Sequence, residues 1–224
     1  LSLNISREGY QSLNPFINNG YIKKPGINIE YANNNSKISY FVKSDYSNFN
    51  IDKNTSQFFS NNLSAGTGKR FITEIGAGIL YDLKYLDIEI NGSSLHKKYD
   101  LDEKNLRTIS SSIPSIKINV SSLLKRSSNT GISLIIPEFI YQKTNFANQS
   151  LDPIFDLHQR NSGNLNGLRN AYFFGKDRVP DSEFLASKLS WQKKMNGGKR
   201  FSFQLIKKNE LKTSKVINAM LSSP

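Results

Sequence analysis

The chain alternates apolar and polar residues in at least seven segments, and this period of two constrains its fold more than any other feature. In one segment Leu86, Ile88 and Ile90 alternate with Asp87 and Glu89. Successive side chains of a β-strand point to opposite faces, so the pattern predicts strands with one apolar face and one polar face. No segment carries a firm helical stripe of apolar residues. The other alternating segments start near Ile27, Ile38, Ile116, Ile132, Leu185 and Phe201.

The separators between these segments fall into a short class and a long class. The short turns contain Asn or Gly, which suit tight hairpins, and the long separators are polar. Short turns that alternate with long loops are typical of an outer-membrane barrel, whereas a soluble sandwich usually has more uniform, shorter connections. The short turns are 33–35, 129–131 and 196–198, and the long loops are about 48–67, 99–112 and 147–182.

Strand length favours a membrane setting over a soluble core. Segments 68–80, 84–97, 113–125 and 131–143 exceed the roughly 5–6 residues of a soluble strand and reach the roughly 9–11 residues that cross a bilayer at a tilt. Aromatic residues also lie near the strand ends, as they do at a lipid–water interface. The predicted fold class is all-β: an antiparallel, up-and-down transmembrane β-barrel segment with long extracellular loops, forming an incomplete barrel. The whole chain, 1–224, is predicted to be part of one barrel domain.

Composition excludes several kinds of chemistry. The 224 residues contain no Cys, which rules out disulfides, zinc-thiolate sites and Fe–S clusters within this stretch. No apolar run reaches the roughly 18–20 residues of a transmembrane helix. The chain starts at Leu1 without a recognisable leader, so we expect a mature protein or a piece of a longer one. The formal charge of +12 reflects either an anionic partner or the codon bias of an AT-rich genome, and the sequence leaves both explanations open.

No arrangement of nucleophile and base predicts an enzyme. His96 and His158 are the only imidazoles, and no Gly-x-Ser-x-Gly elbow accompanies the pair formed by Asp156 and His158. The carboxylates within 100–103 lack the spacing of a Ca²⁺-binding loop. Residues 66–69 lack the full phosphate-loop pattern. We therefore predict no catalytic residues, no cofactor-binding residues and no metal ligands.

Five short motifs occur in an order that resembles one protein family. From about Pro25 to Lys208 the chain resembles the barrel of the LptD (OstA) family of outer-membrane lipopolysaccharide-assembly proteins. The combined order of the motifs carries this resemblance, because each motif alone is short. In chain order they are 69–74 (KRFITE), 111–116 (SSIPSI), 135–141 (IIPEFIY), 174–181 (FGKDRVPD) and 199–201 (KRF).

The most specific of these motifs is 174–181, which is similar to the family's Gly-Leu-Asp-Arg-Ile loop signature. The sequence departs from the family pattern at Lys176, where an apolar residue is usual. It departs again at Ile136, which replaces a Glu, and at Ile75, which replaces a Pro. These departures put the register of individual strands in doubt but leave their order intact.

The resemblance implies a middle piece of a larger barrel in the cell outer membrane. It implies non-enzymatic assembly of lipopolysaccharide into the outer leaflet. The partners it implies are lipopolysaccharide, a plug lipoprotein similar to LptE, and a periplasmic bridge protein similar to LptA that contacts a domain absent from this chain. Nucleic acid is not expected as a partner. Two alternatives stay open: another outer-membrane barrel such as a porin or receptor, and a soluble β-sandwich that binds carbohydrate or nucleic acid.

Two groups of residues are candidates for functional contacts. Asp177 and Arg178 are predicted to lock the loop 147–182 by charge-assisted hydrogen bonds and to pin its return to the strand 184–194. Basic residues at strand ends are candidates for contact with lipopolysaccharide phosphates, although they also fit an ordinary interface. These candidates are Lys97, Lys98, Lys125, Arg126, Lys199 and Arg200, with Lys193 and Lys194 in the same clusters.

The loop 147–182 is expected to fold back over or into the barrel mouth on the extracellular side, where it would contact the lumen plug or cap the exit for the lipopolysaccharide sugar. It contains more apolar side chains than a solvated loop of its length would carry. These side chains are Ile154, Phe155, Leu157, Leu165, Leu168, Tyr172, Phe173 and Phe174.

Overall fold

The protein folds into one large antiparallel sheet. The computed structural model describes residues 1–9, 21–34, 37–51, 67–102, 108–153, 155, 158–159, 173–174 and 176–221. The strands are β1 (Ser2–Gly9), β2 (Tyr21–Asn34), β3 (Ile38–Ile51), β4 (Gly68–Leu83), β5 (Leu86–Leu101), β6 (Ile109–Ser121), β7 (Leu124–Ser128), β8 (Gly131–Thr144), β9 (His158–Gln159), β10 (Phe173–Phe174), β11 (Ser182–Met195) and β12 (Arg200–Lys212), followed by helix α1 (Lys215–Leu221).

The strand order follows the chain order, which makes the sheet an up-and-down meander. Ten strands form the sheet in the order β1-β2-β3-β4-β5-β6-β8-β11-β12, with β7 also paired to β8. Strands β9 and β10 form a separate two-stranded sheet. Among the described strands β1 and β12 stand at opposite edges and do not pair with each other, so the sheet is open. The predicted all-β, antiparallel, up-and-down and unclosed architecture is confirmed.

Cross-strand register confirms the predicted division of side chains between two faces. Directly opposed residues share a face, and Ile90 opposes Ile79 on one side and Ile118 on the other. Ile118 in turn opposes Tyr141, which opposes Leu185. Following the pairs across the sheet places nine predicted apolar residues on one face, here called the apolar face. They are Leu86, Ile88, Ile90, Ile116, Ile118, Val120, Phe201, Phe203 and Leu205.

The opposite face, here called the polar face, carries the intervening residues. Asp87 opposes Ser121, Glu89 opposes Asn119, and Gln204 opposes Ser190. Large apolar side chains on the apolar face are exposed: Phe139 by 63%, Phe203 by 58% and Ile38 by 55%. No second sheet covers the apolar face within the described residues.

Several predicted boundaries are wrong because strand pairing extends further than the turn residues suggested. Of the loop expected at 99–112, residues 99–101 belong to β5 and residues 109–112 belong to β6, with Tyr99 paired to Ile109, and 103–107 lie outside the described residues. Residues 48–51 belong to β3, and 52–66 lie outside the described residues. The strand expected over 113–125 is interrupted at Ser122 and Leu123, and the pieces on either side, β6 and β7, both pair with β8.

The alternation of short and long connections is present along the described strands. Short turns join β4 to β5, β7 to β8 and β11 to β12, and all of them lie at one end of the sheet. The opposite end, here called the long-connection end, carries the segment between β8 and β11. In the turn before β8, Gly131 has a positive φ of 141°, and a Cβ there would collide with the Lys194 carbonyl oxygen. Glycine is therefore the residue that this turn requires.

A short helix follows β12 within 209–221, the best helix candidate of the sequence, although that segment has no firm helical stripe of apolar residues. Helix α1 begins after Ser214, whose hydroxyl accepts a hydrogen bond of 3.3 Å from the Ile217 backbone N–H, as an N-cap residue does. Val216 is buried. In the described part of the chain no helix is both long and apolar enough to cross a membrane.

Candidate functional site

A cluster of buried charges lies on the polar face at the long-connection end of β3, β4 and β5. The register aligns these residues in two rows that run across the strands. In one row Arg70 of β4 lies between Ser47 of β3 and Tyr99 of β5. In the next row Asp45 of β3 and Lys97 of β5 lie on either side of β4. Arg70 and Tyr99 are fully buried, and Lys97 is 1% exposed. Strands of a half-solvated sheet rarely bury such groups without partners, and the partners come from the segment between β8 and β11.

Asp177 connects that segment to β4 and β5. Its Oδ1 accepts a hydrogen bond of 2.8 Å from Arg70 Nη1 and one of 3.2 Å from the Tyr99 hydroxyl. Its Oδ2 accepts a hydrogen bond of 2.7 Å from the Phe155 backbone N–H. Asp177 is fully buried, so both carboxylate oxygens are satisfied by protein groups rather than by water.

Lys97 is the second point of attachment. Its Nζ donates to Asp152 Oδ2 at 2.6 Å, to Gln149 Oε1 at 2.7 Å and to the Asp177 carbonyl oxygen at 2.9 Å. These three bonds use all three protons of the ammonium group. Arg178 joins the same group, because its Nη2 donates to the Asp152 carbonyl oxygen at 2.7 Å. The two ends of the segment, near 149–152 and 177–178, are thereby tied to each other and to β5.

Gln149 strengthens the tie between the two ends of the segment. Its Nε2 donates to the Val179 carbonyl oxygen at 2.7 Å, and its Oε1 accepts a bond of 2.9 Å from the Val179 N–H. The amide therefore pairs with the backbone of Val179 as a neighbouring strand would. Because Gln149 is buried, losing this pairing would leave buried polar groups unsatisfied.

Asp45 closes the cluster on the β3 side. It lies 3.5 Å from Arg70 Nη2 and accepts a bond of 2.9 Å from Lys176 Nζ. The Ser47 hydroxyl donates to Asp45 Oδ1 at 3.1 Å. Lys176 is 45% exposed in its side chain, so it sits at the rim of the cluster while Asp45 lies inside it. The segment before β11 thus contacts β3, β4 and β5.

Aromatic rings seal the cluster from the end of the sheet. The rings of Phe49 and Phe155 are stacked, with centroids 4.4 Å apart and planes 5° apart. The Arg70 guanidinium lies 4.9 Å from the centre of the Phe49 ring, which adds a cation–π contact. Tyr99 packs at 6.3 Å from Phe155, and all three rings are fully buried. Water is therefore excluded from the ion pairs, which raises the cost of breaking them.

The cluster combines buried cations with buried carboxylates. The cations bonded to the segment or within it are Arg70, Lys97 and Arg178, and the carboxylates are Asp45, Asp152 and Asp177. Lys23 is a further buried cation, and it acts on Asp45. Removing one member of such a group leaves an uncompensated buried charge, which is strongly destabilising. The arrangement is suited to holding the loop segment on the sheet. Within the described residues no group of three or more His, Asp and Glu side chains is placed to hold a metal ion.

The structure brings Asp177 and Arg178 into this cluster. Their bonds run to β4, β5 and the residues near Asp152. The locking role itself stays a prediction. Of the apolar residues of the loop 147–182, Phe155 is buried against Phe49 and Tyr99, and Phe173 and Phe174 form β10. The others, Ile154, Leu157, Leu165, Leu168 and Tyr172, lie outside the described residues.

The six basic candidates for phosphate contact do not form one surface. Lys97 is buried and bonded within the cluster, so it is not exposed to a ligand. Lys98 and Arg126 lie on the apolar face, and Lys199 lies in the turn before β12. Only Lys125 and Arg200 line a common groove, which they share with Lys193 and Lys194.

The partners Arg70, Asp45, Gln149 and Asp152 were not identified as site residues from the sequence. Arg70 does fall within the motif 69–74, but nothing there indicates burial. The sequence does show that β3, β4 and β5 carry charged residues at polar-face positions and that the loop 147–182 carries carboxylates. This indicates that charges of the loop and the sheet could pair, but it does not identify the partners.

A second anchor holds helix α1 against the start of β11. Asp181 Oδ1 accepts a hydrogen bond of 2.7 Å from the Ser214 hydroxyl and one of 3.0 Å from the Val216 N–H. Burial alone would raise the pKa of Asp181, but the bonds from Val216 and Ser214 outweigh it and lower the pKa below its usual value. The ionised carboxylate is therefore the form that the docked helix favours.

Comparison with known proteins adds no family assignment. No protein-family model matches the chain, and no curated protein sequence matches it significantly.

Proposed function

We propose that the chain forms part of the wall of an outer-membrane β-barrel that assembles lipopolysaccharide into the outer leaflet. The apolar face is the observation that supports a membrane setting, because it extends across the long strands of the sheet. A soluble sheet covers such a face with a second layer, whereas a barrel in a membrane turns it to lipid. The large exposed side chains Phe139, Phe203 and Leu205 are of the kind that lipid covers.

Strand length and the polar face support the same setting. Strands β4 and β5 are 16 residues long, more than the roughly 9–11 residues needed to cross a bilayer at a tilt. The polar face carries charges in its middle, such as Lys188, whose Nζ lies 2.8 Å from Glu138 Oε1. A charged pair at that depth is expensive in lipid but suits a wet lumen.

The lipopolysaccharide half of the proposal rests on the ordered motifs described above. In that role the polar face would pass the sugar part of the lipid, and the apolar face would remain in the bilayer. The described ends of the segment, which Asp177 helps to tie down, lie on the polar face at the long-connection end, and long loops mark the extracellular end of an outer-membrane barrel. There it would meet a plug lipoprotein or border the route of the sugar.

The membrane setting is testable with the chain's single tryptophan. Trp191 stands on the apolar face, opposite Ile135 and Phe203. We expect its fluorescence to be quenched strongly when the protein is reconstituted in lipids with brominated acyl chains, because bromine would contact the ring. Acrylamide in the aqueous phase should quench it weakly. Strong acrylamide quenching with no effect of brominated lipid would overturn the membrane assignment.

The cargo is testable by crosslinking in cells that make the full-length protein. A photoreactive amino acid at Gln204 faces the polar side, and one at the adjacent Phe203 faces the apolar side and serves as the control. Lipopolysaccharide assembly predicts adducts that contain lipopolysaccharide at Gln204, whereas Phe203 should yield mostly membrane phospholipid. If Gln204 gives no lipopolysaccharide adduct while Phe203 gives phospholipid adducts, the barrel has another cargo, as a porin would.

A further inference from the structure

A groove opens near the short turns, at the end of the sheet opposite the buried ion cluster, and most of the strand residues that line it stand on the polar face. Its volume is about 700 Å³, within the range of pockets that hold small ligands. Strands β7, β8, β11 and β12 form it, and the side chains that shape it include Lys125, Ile132, Leu134, Lys194 and Arg200. The loop segment and its anchoring cluster do not use any of these residues.

Strand register arranges the groove's side chains in two adjacent rows. In one row Lys125 of β7 opposes Leu134 of β8. In the other, Ile132 of β8 opposes Lys194 of β11, which opposes Arg200 of β12. Strand β8 separates β7 from β11, so Lys125 and Lys194 rise from backbones about 10 Å apart. Cationic side chains therefore stand on both sides of an apolar floor made by Ile132 and Leu134.

The charge of the groove is not balanced by neighbouring carboxylates. Lys125, Lys194 and Arg200 are exposed, and in the described part of the chain no Asp or Glu lines the groove with them. Three long cationic side chains can converge on one multiply charged anion, and a guanidinium matches phosphate oxygens especially well. The apolar floor between them suits an alkyl chain rather than a second polar group.

We infer that this groove binds an amphiphile that carries a phosphate head group on an apolar chain. The inference deepens the proposed function and rests on it for orientation, because short turns mark the periplasmic end of an outer-membrane barrel. At that end a phosphorylated lipid arriving from the periplasm would meet Lys125 and Arg200 first. The groove thus becomes a holding site for the head of the lipid on the polar side of the wall.

The test is a titration of the full-length protein in phosphatidylcholine nanodiscs with n-hexyl phosphate, followed by calorimetry. Hexanol and inorganic phosphate are titrated in parallel, since each carries only one of the two features. We expect hexyl phosphate to bind saturably and about tenfold more tightly than either comparison compound, because both parts of the groove are used at once. Equal affinity for inorganic phosphate would mean simple anion binding, and equal affinity for hexanol would mean partition into apolar surface. Either result overturns the inference.

Charge-matched double variants locate the binding. Lys125→Gln with Arg200→Gln should weaken hexyl phosphate binding by about tenfold or more, because two charge-assisted contacts are lost. Lys117→Gln with Lys207→Gln removes the same charge from exposed strand positions outside the groove and should leave binding unchanged. Equal weakening by both doubles would show a general charge effect and overturn the groove assignment.

Binding of hexyl phosphate to the groove and insertion of the sheet in a membrane are tested by separate measurements. Quenching of Trp191 is read in nanodiscs made with brominated phosphatidylcholine, in a variant of the full-length protein with any tryptophan outside this chain replaced by Phe, and it does not depend on the groove. If Trp191 is quenched and hexyl phosphate does not bind, the membrane assignment stands and the groove inference fails. If both fail, the membrane assignment fails as well.

Discussion

Arg70 and Asp177 stand 107 positions apart in the chain and form a buried ion pair with 2.8 Å between Nη1 and Oδ1. Arg70 belongs to β4, and Asp177 belongs to the segment between β8 and β11. The pair therefore joins a strand of the sheet to the described end of that segment, on the polar face.

Replacing Asp177 by Ala should release the segment from the sheet. The change leaves Arg70 buried with one carboxylate fewer, and breaking such a pair typically costs about 3–5 kcal/mol. Hydrogen exchange at the Val179 amide, which is bonded to Gln149 rather than to Asp177, reports the release. We expect exchange there to accelerate by about a hundredfold or more. The control is Glu30→Ala, which breaks the exposed pair between Glu30 and Lys43 and should leave that rate unchanged.

The same pair offers a compensation test. Arg70→Met together with Asp177→Leu removes both charges and replaces them with apolar side chains. We expect this double variant to exchange more slowly at Val179 than Asp177→Ala does, because no unpaired charge remains buried. An identical rate in both variants would mean that Asp177 acts through its bonds to Tyr99 and Phe155 rather than through Arg70.

Truncating Phe155 should loosen the segment through lost apolar contact rather than lost charge. Phe155→Ala removes a fully buried ring that stacks on Phe49, a change that typically costs about 3–5 kcal/mol. Phe155→Leu retains much of the buried volume and should cost less. Leu151→Ala, at a position that is 76% exposed in the same segment, is the matched control. Equilibrium unfolding in urea compares the three, and equal effects of Phe155→Ala and Leu151→Ala would contradict the buried stack.

An arginine on the apolar face should be far more costly than one on the polar face. Ile118→Arg is expected to destabilise the folded protein in lipid by about 2–4 kcal/mol if the position lies near the middle of the bilayer. The adjacent Asn119 faces the other way, opposite Glu89, so Asn119→Arg places the same charge beside a carboxylate. Reversible unfolding in lipid vesicles measures both. Equal costs for the two variants would argue against a lipid-facing surface at Ile118.

Docking of helix α1 should depend on pH. The pKa of Asp181 is lowered in the folded protein, so its contribution is fully present above the pKa of the unfolded chain, about 3.9. The contribution is lost as pH falls through the lower folded pKa. We therefore expect the Val216 amide to be protected from exchange at pH 7 and to lose protection below about pH 4. Asp181→Asn should remove this dependence, and an unchanged pH profile in that variant would assign the effect to another group.

The strand pattern was predictable because a period of two is a local property of the chain. Leu86, Ile88 and Ile90 alternate with polar neighbours, and any strand built from them has one apolar face. The register confirmed this division across six neighbouring strands, from β4 to β12. The short turns were equally readable, since the Gly at 131 and the Gly pair at 197–198 suit tight reversals. The predicted ends of the strands were less accurate, because strand pairing continues beyond the alternating apolar residues, as between Tyr99 and Ile109.

Helix α1 had no firm signal in the sequence because its stability is not a property of its own seven residues. A helix that short is not stable alone in water. It forms where Ser214 caps its first turn and Asp181, 33 positions earlier, accepts bonds from the Ser214 hydroxyl and the Val216 N–H. No periodicity in the sequence carries that information.

The sequence determined the two faces of the sheet, its all-β class and its up-and-down hairpins, because alternation and turn chemistry act between near neighbours. It also singled out Asp177 and Arg178. Only the tertiary structure decided that Asp177 meets Arg70 and that Lys97, a candidate for ligand contact, is buried against Asp152. Those meetings depend on where the described ends of the segment between β8 and β11 contact the sheet. Ion pairs form between whichever opposite charges the fold brings within a few ångströms, and that distance is set by the whole chain.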